Sequence, residues 1–215
     1  NNNGDIIIVF TDFLNEIRIL NIDNVPTPFN LKKIALFPDF DSPTSLVQEE
    51  LENGGNLLSG VYYTTYRYIS ASGVKTNYAE ISQPFSITEN KTFELYNDYD
   101  GIEAGTSTTK AIRISLIGVD TGFDFIEIAI IKKIGGQFSA ESIAILPITG
   151  TEVSTTYTGS KLNDLVVDDI IVQSVNYPYC KSLTLINDKL FLGNLKTDDT
   201  INLQKYVNNI SVTYS

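Results

Sequence analysis

The chain has 215 residues, 42% of them hydrophobic and 19% charged, with a formal net charge of -11 and a pI near 4.4. Such a composition is globular, long enough to bury one large core or two small ones, and its sign opposes the Lys- and Arg-rich surface that gripping nucleic acid requires. Histidine is absent, which removes the usual general base, the commonest metal ligand, and the Ser-His-Asp and Cys-His forms of nucleophile activation.

Methionine is absent too, so "NNNG" is expected to open a fragment or a processed product rather than a native start. From residue 5, "DIIIVFTDFLNEIRILNID" carries a β-branched run at Ile6–Val9, a polar break at 11–16, and apolar residues at alternate positions from Ile17. Period two predicts a hairpin over 5–22 that turns near Asp12–Asn15. The next stretch holds Pro26, Pro28, Pro38 and Pro43, a density that favours an extended connection, with a short strand expected at 34–37. "SLVQEELENGG" reads either as a helical turn or as an edge strand.

Residues 57–82, "LLSGVYYTTYRYISASGVKTNYAEIS", contain five tyrosines. In a strand, Tyr62, Thr64, Tyr66 and Tyr68 share one face, and Val61, Tyr63, Thr65, Arg67 and Ile69 share the other. "SASG" then turns the chain and "VKTNYAEIS" returns as the partner of an antiparallel hairpin. Tyrosine suits a half-buried sheet because its ring packs while its hydroxyl finds water or a backbone group, so most of these rings are expected to be architecture. Tyr63, on the mixed face, is expected to meet a neighbouring subunit.

Further strands are expected at "QPFSIT", "KTFELYND", "KAIRISLIG", "DFIEIAIIKKIGG", "ESIAILPIT" and "EVSTTYTG". Short strands separated by turn signals predict an all-β, antiparallel sandwich over 43–159. "SKLNDLVVDDIIV" holds one helical turn, "QSVNYPYCKS" reads as a loop, "LTLINDKLFLGNLK" as a hairpin turning at Asn187-Asp188, and the last residues as a strand. The end hairpins, in the segments 1–42 and 160–215, cannot bury both faces alone and are expected to pack together or on a partner chain, as a second small β unit into which the sandwich is inserted.

No residue stands out as catalytic, cofactor-binding or metal-ligating. Cys180, the lone cysteine, has no imidazole partner and reads as a structural thiol. The acid pairs Asp98/Asp100, Asp168/Asp169 and Asp198/Asp199 lie in turn-like contexts, and neighbours in sequence do not face one another across a cleft as an acid/base pair must. "NDYDGIEAG" is faintly like a calcium loop, but Tyr96 and Ser107 fall where Asp and Glu are needed. Asn90-Lys91-Thr92 and Asn209-Ile210-Ser211 match the glycosylation sequon, a triplet common by chance in so Asn- and Thr-rich a chain. No cofactor is called for, no apolar run reaches membrane-spanning length, and no signal-peptide pattern opens the chain.

Three pieces in order, "FTDFLNEIRILNID", then "GNLLSGVYYTTYRYISASGVKTNYAEISQPFSI" with "FDFIEIAIIKK" and "TTYTG", then "NDKLFLGN", resemble the tubular, nozzle or muzzle proteins of tailed-bacteriophage tails, often called stabilization proteins. The positions that carry the resemblance are Thr11, Asp12, Asn15, Arg18 and Asn21, then Gly60, Tyr62, Tyr66, Gly73, Thr76 and Ser82, then Leu190, Phe191, Gly193 and Asn194. Members of that family are usually much longer. The resemblance implies fibronectin-type-III-like sandwiches, and a structural, non-enzymatic virion protein in a homo-oligomeric ring around the genome-ejection channel, in contact with other tail proteins. A different reading of the same tyrosines is an adhesion or carbohydrate-binding module on a bacterial surface or phage fibre. Exposed coplanar rings beside Asp or Asn would favour sugar binding, and buried rings the structural role.

Overall fold

The computed structural model describes residues 6–27, 29–89, 102–171, 177–187 and 189–197. Strands β1 (Ile7–Phe10) and β2 (Arg18–Asn21) pair antiparallel, with Ile7 opposite Asn21 and Phe10 opposite Arg18. Their turn closes on Asp12, whose carboxylate accepts the backbone N–H groups of Leu14 and Asn15 at 3.0 and 2.7 Å, the local bonding that makes aspartate a turn residue. The strand expected at 34–37 is not there. Leu31–Ile34 form a 3-10 turn instead, because the Asn30 side chain caps it by accepting the Lys32 N–H and Pro38 has no N–H with which to extend a ladder. Only Ala35 bridges to Arg18.

Next come β3 (Ser45–Leu51), an edge strand, and β4 (Gly60–Ile69). After β4 the chain turns and returns antiparallel, with the N–H groups of Thr76, Ala79 and Ser82 donating to the carbonyls of Tyr68, Tyr66 and Thr64. Three residues of the return limb match two of β4, so the limb is irregular until β5 (Phe85–Ile87) takes up regular pairing with the start of β4. The strands β6 (Ala111–Ile117), β7 (Phe125–Ile134), β8 (Gln137–Pro147) and β9 (Glu152–Tyr157) follow. β7 and β8 are joined by Gly135-Gly136, both at positive φ (56° and 84°), the two-residue turn that matches strand twist and that glycine adopts without strain.

A short strand β10 (Asn163–Leu165), not anticipated in the sequence, pairs with β8 and precedes the helical turn α1 (Val167–Ile171). The last described elements are β11 (Tyr179–Ile186) and β12 (Lys189–Lys196). β11 begins earlier than expected: Tyr179 and Cys180 belong to the strand, not to a loop, since they pair with Lys196 and Leu195. Asn187 takes positive φ (49°) at the turn, as asparagine tolerates. The strands expected at "KTFELYND" and at the C-terminus lie outside the described residues.

The architecture is all-β and antiparallel. A five-stranded sheet, in the order β10-β8-β7-β4-β5, faces a three-stranded sheet, β3-β6-β9. Between them lies one core, built from Tyr62, Tyr66, Tyr68, Ile126, Ile128 and Ile130 on one side and Ile112, Ile114, Leu116, Val153 and Tyr157 on the other. The alternation of β6 explains its position: Ile112, Ile114 and Leu116 are fully buried, and Arg113 points out. The central strand β7 reads "IEIAII" rather than alternating, because its outer face is covered as well. Tyr78, Ala129, Ile131, Ala140 and Ile170 form a second apolar cluster there, joined by Tyr63, Leu165 and Val167.

Candidate functional site

The tyrosines answer the first functional question. Tyr62, Tyr66, Tyr68 and Tyr78 are 1%, 6%, 0% and 5% exposed. Tyr68 stacks on Phe123 with ring centres 4.9 Å apart and meets Tyr66 edge-on at 5.8 Å, arrangements that favour aromatic pairs beyond the area they bury. Their hydroxyls turn inward to the protein. Tyr62 donates to the Leu58 carbonyl at 2.6 Å, and Tyr68 accepts the Asp120 N–H at 2.9 Å. Burial raises both phenols to about 12. Tyr63 is half-buried against the outer cluster of its own chain. None of the four buried rings offers the open flat face that stacking on a sugar needs.

Among the described residues two carboxylates are buried, and each is met by a cation. On the outer face of the large sheet, Glu127 accepts from Arg67 Nε at 2.6 Å across the β4–β7 pair, with Lys75 3.7 Å away and the Arg67 guanidinium 4.4 Å above the centre of the Tyr78 ring. Burial works to raise the Glu127 carboxyl, but the bond and charge of Arg67, with Lys75, outweigh it and hold the group below its usual range. Glu141 points the other way, into the sandwich. A bulge in β8 between the pairs Ile128–Ala144 and Ala129–Ser142 inserts Ile143, so the residues beyond it change faces. Glu141 thereby meets Tyr157, which donates its O–H, and Lys132 at 2.6 Å. Burial, then the adjacent carboxylate, raise the Tyr157 phenol. These carboxylates occupy structural ion pairs rather than opposite walls of a cleft. Among the described residues no three His, Cys, Asp or Glu side chains gather as a metal site would require.

Asp168 and Asp169 lie exposed on the first turn of α1. Asp98/Asp100, Asp198/Asp199, the calcium-like loop around Gly101 and both sequons lie wholly or largely outside the described residues. Cys180 is fully buried, and its carbonyl accepts the Thr11 hydroxyl at 2.8 Å. An open groove lined by Asp39, Asp41 and Glu80 runs beside Phe40 and Tyr66. Its acids do not converge freely, because Asp41 is held by Lys32 at 2.8 Å, and Tyr66 is only 6% exposed.

Sequence reasoning missed the junction that seats the Pro-rich connection on the sandwich. Lys32 Nζ lies 2.6 Å from Asp120, and Lys33 Nζ 2.5 Å from Asp124, both acids being in the loop between β6 and β7. Asp120 also accepts the N–H groups of Asp41 and Gly122. Burial opposes ionisation of Asp120, yet the Lys32 bond and these N–H donors hold its carboxyl below the usual range. The only sequence signal was the Lys32-Lys33 dipeptide in an acidic chain. From this seat the connection reaches both terminal hairpins: the Leu36 N–H donates to Ile17, and the Ile17 N–H donates to Pro178 at 2.7 Å.

The hairpins themselves stay largely uncovered. Ile6, Ile7, Ile8, Phe10 and Leu14 are exposed at one end, and Leu185, Ile186, Phe191 and Leu195 at the other. Two-stranded ribbons of this kind are marginal in water by themselves, so their apolar surface marks a place for contact rather than for chemistry. Among the described residues no helix is long and apolar enough to cross a membrane.

The profile of the crassvirus muzzle protein family matches residues 2–214. The chain belongs to that family. The muzzle is a component of the virion tail, so this is a structural protein of a phage particle, found where other tail proteins meet it. A comparison with curated proteins finds no match.

Proposed function

We propose that copies of this muzzle-family chain close into a ring at the distal end of the tail, bounding the channel through which the genome leaves, and that the chain performs no chemistry. The observation that supports this most directly is what happens to the groups an enzyme or a lectin would need. The clustered tyrosines fill the core and the buried carboxylates are neutralised by Arg67, Lys75 and Lys132. What remains is a stiff sandwich with ion pairs on its strands, carrying two apolar ribbons that call for neighbours. In this reading residues 43–159 form a fibronectin-III-like unit inserted between the terminal segments 1–42 and 160–215, and the ribbons belong to the part that assembles.

A net charge of -11 suits the lining of a DNA conduit, since a wall with few cations offers phosphates no counterion-releasing contacts along which to stick. Closed cyclic symmetry needs one repeated heterologous contact, which two dissimilar ribbons can supply. Imaging the intact particle tests the proposal. A closed ring of this chain around the exit channel, with acidic residues toward the lumen, is the expected result. A position away from the channel, or a basic lumen, removes it.

A further inference from the structure

The two ribbons differ in charge as well as in place. The β1–β2 ribbon and its turn carry Asp12, Glu16 and Asp23 against a single Arg18, and Glu16 lies 3.6 Å from that arginine. The β11–β12 ribbon carries Lys181, Lys189 and Lys196, all exposed and none in an ion pair among the described residues, with Asp188 its one acid in sequence. A basic ribbon is an anomaly in a chain with a net charge of -11.

Each ribbon has apolar residues on both faces. Leu183, Leu185, Leu190 and Leu192 share one face of β11–β12 by the pairing register, and Ile186, Lys189 and Phe191 share the other. On β1–β2, Ile7 and Val9 lie on one face with Ile19, and Ile8 and Phe10 on the other with Leu20. Within one chain the ribbons are tied at their bases, through Ile17 N–H to the Pro178 carbonyl and the Thr11 hydroxyl to the Cys180 carbonyl. Beyond these ties Phe10, Leu185 and Phe191 stay open to solvent, and among the described residues β1, β2, β11 and β12 each have one strand neighbour.

We propose that the basic β11–β12 ribbon of one copy docks on the acidic β1–β2 ribbon of a second copy, burying Phe191 and Ile186 of one against Ile8, Phe10 and Leu14 of the other. The inference rests on the ring reading above and names its subunit contact. Two properties select a second copy as the occupant: the charges are opposite, and both partners are apolar ribbons that fall short of stability until more strands or another layer cover them. The contact is heterologous, so it repeats in one sense around an axis and a fixed rotation per copy closes it.

The test mixes two single-cysteine additions to the full chain. Phe191→Cys is made in one preparation and Ile8→Cys in another, with Cys180 left buried as a common background. Gentle oxidation of the assembled mixture is expected to give a disulfide-linked dimer that neither preparation forms alone. In parallel, K181E/K189E/K196E is expected to weaken assembly at least tenfold by light scattering, and E16K/D23K to restore it when the two variants are mixed. If the wild-type chain assembles but the mixture gives no linked dimer and the reversals leave assembly unchanged, the ribbon contact is wrong while the ring stands. A wild-type chain that stays monomeric at every concentration overturns the ring reading and this contact together.

Discussion

Lys33, only 7% exposed, places its ammonium 2.5 Å from the Asp124 carboxylate, joining the Pro-rich connection to the loop between β6 and β7. Asp124 uses its second oxygen to accept the Ala71 N–H at 2.7 Å, so one side chain fixes three segments. Removing one member of a buried pair leaves the other charge without compensation, a loss of about 3 to 5 kcal/mol when burial is complete. Asp124 is partly open, so Asp124→Ala is expected near the lower end, about 3 kcal/mol. Lys33→Met is expected to cost less, because the stranded carboxylate reaches water, and the double variant less than the sum of the two. Urea unfolding of the four proteins closes the cycle, and additive losses would mean that the contact carries no coupling.

Acid is expected to loosen this seat and the Arg67–Glu127 pair on the outer face of the large sheet. The Asp120 and Glu127 carboxyls ordinarily titrate at 3.8 and 4.5, and both lie lower in the folded chain. The unfolded chain therefore binds these protons first. The stabilisation is complete above the ordinary values and is lost as the pH falls through the lower, folded ones. Urea midpoints are expected to drop between about pH 6 and about pH 3, with a smaller drop in Asp120→Asn and in Glu127→Gln. Hydrogen exchange at residues 31–41 is expected to quicken on the acid side before exchange in the β4–β7 ladder. The reverse order would mean that the seat is not the weaker part.

Much of this molecule could be read from its residues, for a physical reason. A sheet buried on one face writes itself as alternation, so β6, with Ile112, Ile114 and Leu116, was plain, as was the hairpin around Asn187. The burial of Tyr62, Tyr66 and Tyr68 followed from their shared face. What stayed hidden depends on long-range pairing. Nothing local says that Lys32 and Lys33 find acids some ninety positions away, or that a bulge at Ile143 turns Glu141 inward. The 3-10 turn at Leu31–Ile34 was missed because its apolar residues fit either period over so short a run, and the Asn30 cap decided it. The docking surface was half legible: two ribbons unable to bury both faces were foreseen, but their opposite charges matter only once the fold leaves both uncovered.

Gly55 shows how closely the two sheets' connecting segments approach. A Cβ at this position would stand 2.1 Å from the Lys110 carbonyl oxygen, and its N–H already donates to Thr109 at 3.0 Å. The obstacle is backbone, which cannot swing aside as a side chain can. Gly55→Ala is expected to destabilise by about 3 kcal/mol, at the upper end for an overpacked site. Gly150→Ala, where a Cβ meets nothing within 4 Å, is the control and is expected to melt like the parent. Equal melting temperatures for both variants would mean that residues 55 and 110 separate at little cost.

The buried phenols make a prediction at the alkaline end, where their sign is opposite to that of the acids. Tyrosine ordinarily ionises at 10.0; burial raises Tyr62, Tyr68 and Tyr78 to about 12, and it also pushes the Tyr66 and Tyr157 phenols upward. A phenolate has no place between the sheets, so the unfolded chain loses these protons first as the pH rises. Below pH 10 the groups leave stability unchanged. Above it the folded state weakens, by about 1.4 kcal/mol per pH unit for each tyrosine until its folded value is reached. Phenolate absorbance from the buried tyrosines is expected to rise late, as a second stage that coincides with loss of the circular dichroism of the sheets. Tyr68→Phe, which loses the contact to the Asp120 N–H but keeps the stacked ring, is expected to shrink the second stage and to cost about 1 kcal/mol at neutral pH. A single smooth titration centred on the ordinary value, with the sheets intact, would show that these rings reach solvent after all and would reopen the carbohydrate-binding reading.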